Sequence, residues 1–232
     1  MKKPVWIPPV ALFAGLAGIV AWVLRWRLLQ TATGDTGLLT AGHPLAILSC
    51  VLTAAVVILT AVALWKHRKE KFVLRITTGS EGFRALAMVM VAMALWNHSP
   101  LGKAAAVAAL IAAAAALVRL LLRKKQLSPA LGDIPALLFY ILCLCTFYRV
   151  WSAEPEVQRY AYGLLAIVCL MFATYSRSAV VLELGKHALF LGSGFLGVYF
   201  AFAAAADPGF AVATVPMAVW MMLQLDTVTE AA

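Results

Sequence analysis

Eight apolar runs divide this chain, at roughly 6–28, 44–65, 82–97, 104–122, 134–151, 157–175, 186–206 and 210–225. A bilayer core about 30 Å thick takes about 20 apolar residues as a helix to cross. A chain inside lipid must also satisfy its backbone hydrogen bonds within itself, which favours helices. Of the 232 residues, 64% are hydrophobic and 12% charged, against roughly 45–50% and about 25% in a soluble domain. The sequence therefore predicts an all-α integral membrane protein. Residues 1–232 form one polytopic domain, a compact bundle of eight transmembrane helices. The last run, Phe210 to Leu225, is about sixteen residues long and contains Pro216, at the short limit for a span. If it is re-entrant, the count falls to seven.

Charge sets the expected orientation. Short loops rich in Lys and Arg stay on the cytoplasmic side. The richest stretch is Trp65–Arg84, with Lys66, Arg68, Lys69, Lys71, Arg75 and Arg84. If its loop, about 66–81, is cytoplasmic, alternation over eight spans gives an N-in, C-in chain. That side then collects Lys and Arg in groups of two, six, four and two, leaving Arg25, Arg27, Lys103, Arg149 and Arg159 outside, of nineteen in all. The formal charge of +9 is thus read as topology signalling with anionic lipid headgroups as counter-charge at Lys66–Arg84. Nucleic acid is not an expected partner. The expected place is a cell membrane of the bacterial inner-membrane type. Trp26, Trp96, Tyr148, Trp151, Tyr160 and Tyr162 fall at the outer interface, as membrane-belt aromatics do.

Helix ends carry local signals. The first run ends in Arg25-Trp26-Arg27 rather than a cleavage site, so it reads as a span. Ser80 is the expected N-cap of the third, with Glu81 in its first turn. The fifth starts after Pro129 or after Asp133. Lys71 to Thr77 alternates basic and apolar residues and reads as a short amphipathic segment on the membrane surface. Arg177, Glu183 and Lys186 fall in a loop after Tyr175. Glu81–Arg84 and Glu183–His187 read as helix-end pairs.

The spans carry no ionisable residue near their predicted middles. Such residues mark proton relays and ion paths, so a proton pump or cation antiporter is disfavoured. The same holds for a b-type cytochrome, which needs axial histidines on facing helices. Cys50, Cys143, Cys145 and Cys169 all lie in spans and read as small hydrophobes, with no disulfide or metal framework. Gly192-Ser193-Gly194-Phe195-Leu196-Gly197 is a formal GxGxxG, but no strand precedes it, so it reads as close helix packing. No cofactor and no metal are expected.

Polar residues gather instead at the outer ends. Arg25, Arg27, Asp35, His43, Asn97, His98 and Arg149 form the candidate ligand-binding set of a shallow pocket. Tyr140, Thr146 and Tyr199 are candidate cavity-lining groups. The leading expectation is a protein, not an enzyme, that binds or transports a small apolar or weakly polar molecule. One alternative is a non-catalytic subunit or scaffold acting through a membrane protein partner or a second copy, suggested by its Ala- and Gly-rich helix surfaces. Another is a lipid-directed enzyme using His43, His98 and Asp35 at the outer face.

Overall fold

The computed structural model describes residues 6–31, 43–67, 72–74, 77–96, 100–122, 130–151 and 157–230. Among these are eight helices: α1 (Ile7–Thr31), α2 (Pro44–Lys66), α3 (Thr78–Leu95), α4 (Pro100–Leu121), α5 (Ala130–Trp151), α6 (Val157–Val181), α7 (His187–Ala204) and α8 (Pro208–Asp226). Two short strands, β1 (Phe72–Leu74) and β2 (Val228–Glu230), pair antiparallel with Val73 opposite Thr229. Six stretches are long and apolar enough to cross a membrane: Ile7–Thr31, Pro44–Lys66, Gly102–Leu121, Leu131–Arg149, Tyr160–Val181 and His187–Ala204. The apolar stretch Ala211–Asp226 is shorter. α3 is also absent from that set, since its first two turns hold Ser80, Glu81 and Arg84.

Side-chain contacts set the starts of α3 and α5 beside the ends of α4 and α6. Contacts pass from α3 through α4, α5, α6 and α7 to α8, and from α8 back to α3, closing a circuit. α1 packs outside it against α7, and α2 packs on α1 and α7. Small residues set these approaches. On α4, Ala105, Ala106, Ala108, Ala109, Ala112, Ala113 and Ala116 are buried between α3 and α5. Burial over so wide an arc of an alanine helix means close backbone approach on several faces, as lipid-embedded helices use. At the α1–α7 crossing, a Cβ on Gly18 would lie 2.9 Å from the Tyr199 carbonyl oxygen and 2.9 Å from Phe202 Cβ. Only a glycine allows that separation.

Several local expectations change. The cap of α3 is Thr77, whose Oγ1 accepts the Ser80 N–H at 3.3 Å; Ser80 lies inside the first turn. α5 begins at Ala130, so Asp133 sits in the first turn and Pro135 inside the helix. The stretch around Phe72 is a strand rather than a surface segment, with Phe72 and Leu74 buried and Val73 exposed. Phe72 packs edge-on against Trp6 and His187, and Trp6 stacks on His67 with ring centroids 4.4 Å apart. This pairing ties the end of the chain to the connection between α2 and α3. Arg68, Lys69, Lys71 and Arg75 of the basic loop lie outside the described residues.

α6 continues past Tyr175 to Val181, so Arg177 is a helical residue rather than a loop residue. It ends in two reversed bonds, Glu183 N–H to the Val180 carbonyl and Leu184 N–H to the Ala179 carbonyl. This is the Schellman pattern, with its left-handed residue one past the cap. Glu183 occupies that position at φ 62°. Glu183 and His187 therefore do not share a helix, and the helix-end pair expected between them does not form.

Candidate functional site

Two polar centres lie at opposite ends of the bundle. The first is at the end where α1 finishes and α2 begins. A cavity of about 390 Å³ opens there, lined by Arg25 and Leu28 of α1, Ser49, Cys50 and Thr53 of α2, and Tyr162, Leu165 and Phe200 of α6 and α7. Its walls are mostly apolar, but one hydroxyl cluster crosses it. Thr53 Oγ1 is 2.8 Å from the Tyr162 hydroxyl and 2.8 Å from the Tyr199 hydroxyl. Thr53 donates its own proton to the Ser49 carbonyl at 2.8 Å. A threonine hydroxyl has one proton and two lone pairs, so with that proton on Ser49 it can accept from both tyrosines, and the Tyr162 hydroxyl also lies 3.4 Å from the Ser49 carbonyl. The Arg25 guanidinium lies 4.1 Å from the centre of the Tyr162 ring, a cation–π distance, and the side chain is buried.

The sequence candidates separate around this cavity. Arg25 and Tyr199 reach the cluster. Arg27, two residues on, is exposed and stands over Trp26, because residues two apart on a helix face different ways. His43 caps α2, its Nδ1 accepting the Leu45 N–H at 3.3 Å. Arg149 is exposed at the end of α5, and α5 packs against α4 and α6 rather than α1 or α2. Thr146 is buried with its hydroxyl on the Leu142 carbonyl at 2.7 Å, a bond that satisfies a helical threonine locally. Tyr140 is buried within the circuit on the same face of α5 as Asp133. Asp35, Asn97 and His98 lie outside the described residues.

The second centre is at the opposite end, inside the α3–α8 circuit, and sequence reasoning did not single it out. Arg84, Arg177, Glu81 and Asp133 are all buried there. Arg177 donates through Nε to Gln224 Oε1 at 2.9 Å, through Nη1 to Asp133 Oδ1 at 2.7 Å, and through Nη2 to Glu81. Arg84 holds Asp133 Oδ1 through Nη1 at 2.5 Å and the Gly132 carbonyl through Nη2 at 2.8 Å. Arg119 reaches Glu81 Oε2 at 3.4 Å, and Ser178 donates to the second oxygen of Asp133. Both buried guanidiniums stand over Trp220, at 4.9 Å for Arg84 and 5.4 Å for Arg177. Five helices, α3, α4, α5, α6 and α8, are joined through these side chains. Glu81–Arg84, expected as a local pair, is 3.8 Å apart and is the longest of these ion pairs.

Helix direction explains the arrangement. Glu81 and Asp133 sit in the first turns of α3 and α5. Arg119 and Arg177 sit near the last turns of α4 and α6. Carboxylates are favoured at the positive helix start and guanidiniums at the negative helix end. Antiparallel neighbours bring starts beside ends, so each helix pair delivers one acid and one arginine to the same level. A cavity of about 460 Å³ runs beside this core, lined by Thr77, Ser80, Phe83, Leu223, Asp226 and Thr229.

Fold and sites together define an all-helical protein with several helices apolar enough for a membrane, carrying a hydroxyl-lined cavity at one end and a buried ionic core at the other. No protein-family model, curated sequence or solved structure matches this chain.

Proposed function

We propose that this chain is a multi-pass membrane protein that binds, and in a transport cycle moves, a small weakly polar molecule at the cavity bounded by α1, α2, α6 and α7. The observation that carries the reading is the cavity itself. Its volume of about 390 Å³ falls in the roughly 300–1,000 Å³ range of small-molecule sites. Its chemistry also fits, with apolar walls and a few convergent polar groups. Arg25, Ser49, Thr53 and Tyr162 would orient a hydrogen-bonding end of the ligand, and Leu28, Leu165 and Phe200 would hold its apolar body.

The membrane arrangement proposed with it has eight spans with both termini cytoplasmic, in a membrane of the bacterial inner type. The support is the uneven distribution of Lys and Arg. In this orientation the ligand cavity faces outward and the ionic core faces the cytoplasm. Labelling of intact cells with a membrane-impermeant maleimide tests it, using Asp35→Cys and Lys69→Cys in a background with Cys50, Cys143, Cys145 and Cys169 replaced. Asp35→Cys should label and Lys69→Cys should not. The reverse pattern overturns the orientation.

Binding is tested on the purified full-length protein in nanodiscs by thermal shift across metabolite and lipid panels. A true ligand raises the melting temperature of the wild type and not of Ala54→Trp, which places an indole in the cavity. If no compound distinguishes the two proteins, the cavity is not a binding site. In the alternative of a lipid-directed enzyme, His43 would act through Nε2, since its Nδ1 accepts the Leu45 N–H.

A further inference from the structure

We infer that the ionic core binds one small monoanion, of halide size, between Arg84, Trp220 and Gln224. The charges point that way. Among the described residues Arg84, Arg177 and the partly buried Arg119 meet Glu81 and Asp133 at this level, three cations against two carboxylates, with Asp226 in the adjacent cavity. A buried charge without a counter-charge is costly, and a single monoanion balances the set.

The unpartnered groups agree with the charge. Arg84 Nε, Trp220 Nε1 and Gln224 Nε2 are buried and have no hydrogen-bond partner among the described residues. All three are N–H donors. The Gln224 amide is oriented by Arg177, whose Nε donates to Oε1 and so leaves Nε2 as the free end. Trp220 and Gln224 are one turn apart on the same face of α8, and the Arg84 guanidinium stands 4.9 Å from the Trp220 ring centre. Three buried donors beside an excess positive charge suit an acceptor-only ion. A cation would find no acceptor among them. A water molecule offers two lone pairs to three donors and brings two protons of its own to place.

Size follows from the packing. Arg84, Arg177, Trp220 and Gln224 are all fully buried, and a Cβ on Gly132 would already stand 3.3 Å from Arg84 Nη1. Packing this close leaves no room for a phosphate ester, so the proposed ion is limited to halide size. The cavity lined by Ser80, Phe83 and Leu223 lies beside this core, along α3 and α8.

The test uses purified full-length protein in nanodiscs, comparing sodium chloride with sodium gluconate at matched ionic strength. Chloride should raise the melting temperature in step with the logarithm of its concentration, by about 4 °C at roughly ten times its dissociation constant, and bromide should do the same. Gln224→Glu places a carboxylate oxygen where Nε2 stood, keeps the acceptor for Arg177 and cancels the excess charge. Its melting temperature should be the same in chloride and gluconate, and no lower than that of the wild type in gluconate. Arg119→Met removes the excess charge by another route and should also abolish the chloride shift, so the test survives if one variant fails to fold. If chloride stabilises the wild type no more than gluconate, or if either folded variant keeps the full shift, the core is an ion network only and the proposal fails.

Discussion

Arg177 Nη1 and Asp133 Oδ1 lie 2.7 Å apart, fully buried, joining the end of α6 to the start of α5. Asp133 Oδ1 also receives Arg84 from α3 at 2.5 Å, so one carboxylate oxygen ties three helices. A buried pair need not add net stability over a well-packed apolar one, but removing Arg177 takes its donors from Asp133, Glu81 and Gln224 together, and breaking a buried pair from one side costs about 3–5 kcal/mol. Arg177→Met should therefore lower stability by about that amount, read as a lost folded fraction or a fall in melting temperature. Arg177→Met with Asp133→Asn should be less destabilised than the two single effects added, since the pair shares one interaction. Strict additivity would mean the two groups do not depend on each other.

Thr53 makes a different kind of test at the other end. Its hydroxyl lies 2.8 Å from those of both Tyr162 and Tyr199. Thr53→Val keeps the shape and strands the Tyr199 hydroxyl, while Tyr162 keeps the Ser49 carbonyl at 3.4 Å, and a buried donor left unmade costs about 1–3 kcal/mol. Tyr199→Phe removes one donor together with its bond, for about 0.5–1.5 kcal/mol. The expected order is Thr53→Val below Tyr199→Phe below wild type in thermal stability. An inverted order would show that the tyrosines, rather than Thr53, anchor the cluster.

How much of this was legible in the sequence depended on the length scale of the signal. Apolar runs such as Pro44–Lys66 announce themselves, because a membrane requires length and hydrophobicity along one continuous segment. The ionic core does not, because its members are spread over residues 81 to 224 and each sits within two turns of a helix end. There a charged residue competes with the plain reading of loop polarity. Arg177 was hidden by ending α6 at Tyr175, although the apolar Ala179, Val180 and Val181 continue the helical run past it. One signal was available. Glu81, Arg84, Arg119 and Arg177 all fall on the same side by helix alternation, so charges of both signs were already known to share a level. Neighbour order was not available, and it explains why Arg25 meets Tyr162 while Arg149 stands apart. The surroundings of the Asp35, Asn97 and His98 candidates lie outside the described residues.

The turn after α6 offers a stabilising change. Glu183 holds a left-handed φ of 62° and is exposed, in a position that helices usually give to glycine. A left-handed residue with a Cβ costs about 1–2 kcal/mol, and part of this returns as backbone entropy when glycine is introduced. Glu183→Gly should raise stability by about 0.5–1 kcal/mol, seen as a rise of about 1–4 °C in melting temperature. A fall would mean that the glutamate side chain contributes more than its backbone strain costs.

The glycines of α1 separate backbone contact from side-chain contact. A Cβ on Gly15 would meet the flexible tip of Met222 at 3.3 Å, whereas one on Gly18 would meet the Tyr199 carbonyl oxygen at 2.9 Å. A methionine end can swing aside, but a helix backbone moves only with its helix. Gly15→Ala should therefore be tolerated within about 1 kcal/mol, and Gly18→Ala should cost about 1–3 kcal/mol, the usual range for overpacking. Gly18→Ala should also push α1 from α7 at the level of Tyr199, loosening the hydroxyl cluster and weakening any ligand of the neighbouring cavity. Thermal stability and ligand affinity measured on both variants check this: both should fall for Gly18→Ala and neither for Gly15→Ala. Equal behaviour of the two would show that α1 does not depend on close backbone approach to α7.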